Sequence, residues 1–118
     1  MDIRSAQQLA WDNKLAKGFN TTDVPLEFGL LTAEVGEAFT AWRRKLPDFG
    51  EELADVLLYL VALAEMNGID LESEVERKLA KNRDRVYVRD ERGVLLRVET
   101  PGGAADADDA CEETGSCR

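Results

Sequence analysis

The chain has 118 residues and not one histidine. That absence excludes His-ligated zinc, Ser-His and Cys-His nucleophile pairs, and the Glu-x-x-His motif of di-iron helical bundles. Cysteine is scarce: Cys111 and Cys117 both lie in the acidic C-terminal stretch, where a disulfide between them would say little about redox compartment. Positive charge is also short. A net charge of −9 argues against binding a nucleic-acid polymer, which needs a basic surface. Small phosphorylated ligands stay open, because a metal ion can bridge acidic groups to phosphate. The apolar run from Leu53 to Ala64 is too short to span a membrane, so no membrane partner is expected. Asp2 and Arg4 give the N-terminus no signal-peptide pattern, and the expected location is the cytoplasm.

What is present suits one domain, with 44% apolar and 33% charged residues and no room for a separate cofactor domain. Helical spacing runs from about Ile3 to Lys17, with Gly18 as a stop. Asp23 and Pro25 open a second helix to about Arg44, and Pro47 closes the turn after it. A third covers about Gly50 to Met66 and ends at Asn67-Gly68; Asp70 can cap a fourth. Past Arg85, Val86-Tyr87-Val88 and Val94 to Val98 flank Arg89 to Gly93 and read as a β-hairpin. The expected organisation is an all-α four-helix domain over residues 1–85, a hairpin extension over 86–100, and a disordered acidic tail over 101–118. The second and third helices carry apolar residues on more than one face, which points to self-association as a homodimer or homotetramer.

The chemistry concentrates in two acidic pairs. Glu34-Val35-Gly36-Glu37 sits inside one apolar segment, and Glu52-Leu53-Ala54-Asp55 opens another. At i, i+3 each pair shares a helix face. Asp55 carries the only charge from Leu53 to Ala64, so its position predicts a buried carboxylate with a cation or hydrogen-bonding shell. One such pair alone is most simply a solvated face; two can converge on a divalent ion. Carboxylates suit Mg²⁺, with Mn²⁺ as a substitute. The basic stretch Arg77 to Arg85 puts Lys78, Asn82 and Arg85 on one stripe. It reads either as a helix C-terminus matched to its dipole or as a phosphate clamp. Tyr59 and Trp42 could be plain core or could border a nucleobase, whereas Trp11 reads as core.

Taken in order, Glu34-x-x-Glu37, Glu52-x-x-Asp55 and Lys78-x-x-x-Asn82-Arg83 resemble the all-α nucleoside triphosphate pyrophosphohydrolases of the MazG-like superfamily. Glu51 to Ala64, with Ile69-Asp70-Leu71 and Lys78 to Arg83, is most similar to the dCTP pyrophosphatase branch. The resemblance implies a MazG-like bundle that hydrolyses a nucleoside triphosphate to monophosphate and diphosphate, in nucleotide-pool control or house-cleaning. By it Glu34, Glu37, Glu52 and Asp55 hold Mg²⁺, and Lys78 and Asn82 contact phosphate or sugar. By it too Tyr59 would lie against the nucleotide. On the chemistry of such a reaction one of the glutamates, with Glu37 the candidate, would act as general base, and Lys78 with Arg83 or Arg85 would offset charge on the leaving pyrophosphate. Two alternatives stand beside this: a phosphoribosyl-ATP pyrophosphatase-like enzyme, and a non-catalytic acidic helical interaction module.

Overall fold

The computed structural model describes residues 1–98. The expectation of a disordered tail over 101–118, and the end of the 86–100 extension, lie outside the described residues. The chain divides into two compact units, residues 1–78 and the part from Leu79 onward. The order is α1 (Ile3–Lys17), α2 (Val24–Arg43), α3 (Phe49–Met66), α4 (Leu71–Asp84), β1 (Val86–Arg89) and β2 (Leu95–Val98). The fold is all-α with a small two-stranded C-terminal sheet, as the sequence pattern predicts. No described helix is long and apolar enough to cross a membrane.

Local chemistry sets the helix ends. The Asp2 Oδ1 accepts from the Ser5 N–H at 2.7 Å and opens α1. Gly18, at φ 70°, takes the left-handed conformation that ends it. Asp23 Oδ1 accepts from the Leu26 N–H at 3.0 Å, and Pro25 occupies the first turn of α2. At the start of α4, Asp70 Oδ2 accepts from the Ser73 hydroxyl at 2.8 Å.

In the first unit α3 packs against both α2 and α1. The buried apolar core is small in residue size: Ala6, Ala38, Ala41, Val61, Ala62, Leu63 and Ala64. Small side chains let the helix backbones approach closely. Gln7 stitches α1 to the α3–α4 turn. Its Nε2 donates to Glu65 Oε2 at 2.8 Å and to the Ile69 carbonyl at 2.7 Å, and its Oε1 accepts from the Leu71 N–H. Arg4 adds ion pairs to Asp70 and Glu72 at 2.9 and 2.6 Å.

The expected burial around Asp55 needs correction. Burial along α3 is confined to Val61–Ala64; Leu53, Leu57, Leu58 and Leu60 stay exposed. Asp55 is exposed too. The apolar run signalled a helix with several hydrophobic faces, but α1 and α2 cover only part of them.

The second unit holds a hairpin with antiparallel register Val86↔Val98, Tyr87↔Arg97, Val88↔Leu96 and Arg89↔Leu95. Asp90 Oδ1 accepts from the Arg92 and Val94 N–H groups, both at 2.9 Å, and Gly93 at φ 80° completes the turn.

Candidate metal and nucleotide site

Helices α2 and α3 bring three carboxylates together. Glu34, Glu37 and Glu52 each offer an oxygen, and these oxygens lie within 4.8 Å of one another. Glu34 and Glu37 share a face of α2 by their i, i+3 spacing, and Glu52 lies in the first turn of α3. Glu34 and Glu52 are half-buried, whereas Glu37 is exposed. Glu34 Oε2 and Glu52 Oε2 are buried without a hydrogen-bond partner.

The electrostatics follow from this crowding. Burial pushes the Glu34 carboxyl above the usual glutamate range; the Glu37 charge, a hydrogen bond with Glu37, and the charges of Asp55 and Glu52 push the same way. Burial likewise raises Glu52, helped by Glu37, Asp48, Asp55 and Glu51. Such a group is short of positive charge. A hard divalent cation fits its all-oxygen donor set and would meet the two orphaned oxygens.

Asp55 is one turn beyond Glu52 and outside the grouped oxygens. It lines a pocket of about 490 Å³ with Leu9, Asn13, Phe19, Leu58 and Tyr59 among its walls. Burial raises the Tyr59 hydroxyl above its ordinary value, and the nearby Glu34, Glu27, Asp55 and Glu37 charges add to the rise. Trp42 is elsewhere. It sits 6.0 Å from Phe39, ring centre to ring centre, and lines a separate hollow with Leu46 and Phe49. Lys78 is half-buried and ends the first unit, while Asn82, Arg83 and Arg85 belong to the second.

The sequence reading passed over the α1 side of the pocket and the buried pair Lys14–Glu27, whose nitrogen and oxygen lie 2.6 Å apart. Lys14 near the end of α1 and Glu27 in the first turn of α2 look like ordinary dipole-matching charges. Only the shortness of the connection between them signals that they meet.

Among known proteins, the MazG-like family profile matches residues 26–95. Bovine (Bos taurus) dCTP pyrophosphatase 1 is 39% identical over 84 residues, covering 64% of this chain. The chain spans 50% of that curated relative's length. Among solved structures, a cyanophage S-2L MazG-like pyrophosphohydrolase bound to dGDP and three catalytic Mn²⁺ ions superimposes with a TM-score of 0.64. That match covers 85% of this chain and 96% of the phage protein at 22% identity, and so speaks for the shared fold. With a profile covering more than half of its residues, the chain belongs to the MazG-like family.

Proposed function

We propose that this chain is a divalent-metal-dependent nucleoside triphosphate pyrophosphohydrolase, releasing nucleoside monophosphate and pyrophosphate in the cytoplasm. The observation that carries the reading is the grouping of Glu34, Glu37 and Glu52 within 4.8 Å, beside a pocket walled by Asp55 and Tyr59. Clustered carboxylates with partnerless buried oxygens repel one another and are costly without a cation. A Mg²⁺ or Mn²⁺ ion held there would supply Lewis-acid polarisation of phosphate and a bound water of lowered pKa. Glu34, Glu52 and Asp55 are its proposed protein ligands together with Glu37.

The chain's own groups supply the remainder. Glu37, the exposed member of the cluster, is placed in the proposal to take the proton of the attacking water. Tyr59 offers an aromatic wall to the nucleoside within a pocket of about 490 Å³, a size suited to a small ligand. Lys78 carries positive charge for the departing pyrophosphate. The nucleotide and Mn²⁺ in the phage structure, and the activity in the bovine relative's name, support the substrate class. Exposed Phe39 and Trp42, at 57% and 60%, support a homodimer or homotetramer.

The test is a pyrophosphate-release screen over standard and modified nucleoside triphosphates, run with Mg²⁺, with Mn²⁺ and with a chelator. The expected result is one pyrophosphate per monophosphate, abolished by the chelator. Release of orthophosphate instead, or turnover indifferent to the chelator, refutes the reading.

A further inference from the structure

Lys14 holds the chain together at a point the proposed chemistry does not use. Its ammonium donates to Glu27 Oε1 at 2.8 Å and to the Asn20 carbonyl at 2.8 Å, with Glu27 Oε2 at 2.6 Å. The two side chains are only 9% and 0% exposed. The same nitrogen stands 5.9 Å from the centre of the Tyr59 ring. The Lys14 carbonyl also accepts from the Phe19 N–H at 3.0 Å, so one residue grips the connection after α1 at two points. Asn20 braces that connection from within: its Nδ2 donates to the Asp23 carbonyl at 2.7 Å, and its Oδ1 accepts from the Asp23 N–H at 2.9 Å. Phe19 and Asn20, held in this way, line the same pocket as Tyr59 and Asp55, and Lys14 itself borders it.

Stability alone does not call for this pair. Two apolar side chains of similar volume hold a helix junction as well as a desolvated ion pair does, and often better. What apolar contact cannot supply is direction. An ammonium with three donors fixes its acceptors in place, and here those acceptors lie on α2 and on the connection between the helices.

We propose that Lys14 and Glu27 are positioning residues for the nucleoside: their ion pair holds Phe19 and Asn20 in the wall of the pocket that Tyr59 also lines and so sets how tightly the nucleoside is gripped. This rests on the proposed reading of the pocket as the nucleoside end of the site. The pair is separate from the grouped carboxylates Glu34, Glu37 and Glu52.

The test uses the full chain with Lys14→Met and Glu27→Leu combined, which removes both charges and strands neither. Calorimetry measures affinity for a nucleoside triphosphate with a non-hydrolysable α,β-methylene bridge, for inorganic pyrophosphate, and for Mn²⁺. Analogue binding is expected to weaken about tenfold or more, with pyrophosphate and Mn²⁺ affinities held within about twofold. In turnover, KM rises while kcat holds. Unchanged analogue affinity in the folded double variant overturns the proposal, and so does an equal weakening for pyrophosphate. Phe19→Ala leaves the ion pair intact and removes the wall it supports. It is expected to weaken the analogue similarly, and parent-like binding there overturns the proposal even if the double variant does not fold. A parent that binds the analogue yet releases no pyrophosphate refutes the hydrolase reading, while the affinity comparison still decides this one.

Discussion

Asp55 tests the acidic site most cleanly, because it is exposed and borders the pocket outside the grouped oxygens. Asp55→Asn is nearly isosteric and should leave the metal-free melting temperature level or slightly higher, since it relieves repulsion. Metal affinity and turnover should fall about 100-fold or more, as expected when a strong oxygen ligand is lost. Parent-like calorimetric titration with Mg²⁺ would remove Asp55 from the site. Glu34 and Glu52 carry a pH signature as well. Both carboxyls sit above the usual glutamate value, with burial as the leading cause. The folded protein therefore holds these protons more tightly than the unfolded chain. The associated stability is present below the unfolded pKa and lost as pH rises through the folded values. Without metal, melting should drop as pH climbs out of the acid range, and added Mg²⁺ should reverse the drop near neutrality. A metal-free melting curve flat across that range contradicts the crowding. The acids themselves were legible in the sequence because i, i+3 spacing needs no tertiary knowledge. The Lys14–Glu27 pair was not, since each charge on its own suits its helix end.

Helix ends were legible for the same local reason: Asp23, Pro25, Gly18 and Asn67-Gly68 act within one turn of themselves. Burial was not, because an apolar side chain in sequence does not say which neighbour covers it. Helix α2 shows the gap. Val35 and Phe39 lie in its apolar segment and Trp42 reads as either core or a nucleobase border, yet only Ala38 and Ala41 of its apolar residues are buried. Gly36 lies in the same helix, and a Cβ built there meets nothing within 4 Å. Replacing an interior helical glycine with alanine gains about 0.5–1 kcal/mol when space is open. Gly36→Ala should therefore raise the denaturation midpoint without changing its slope. A lowered midpoint would mean that another chain already occupies the space beside Gly36.

Across the molecule, the exposed side chains Phe28, Val35, Phe39, Trp42, Leu53 and Leu57 make α2 and α3 more apolar than a lone protomer comfortably presents to water. Sedimentation equilibrium should give a mass of two or four chains of 13.1 kDa. Trp42→Glu should shift that distribution toward monomer, because a desolvated carboxylate has no place in an apolar interface. A parent that sediments as a monomer at micromolar concentration defeats the expectation of a homo-oligomer.

The grouped carboxylates come from α2 and α3 alone, and those helices are joined by the short turn Arg44–Asp48. The pocket also needs α1, whose contacts reach far along the chain, as in Gln7 with Glu65. Near contacts close at small entropic cost and distant ones at greater cost, so the two halves of the site differ in when they assemble. The acidic hairpin should form first and α1 should dock last. By the same reasoning α1 should undock first, with its amides exchanging hydrogen through smaller openings than those of α3. On the proposed reading, that partly opened state keeps the carboxylate oxygens gathered for a cation while the wall proposed to grip the nucleoside is gone. If the proposal holds, the molecule loses its selectivity before it loses its metal.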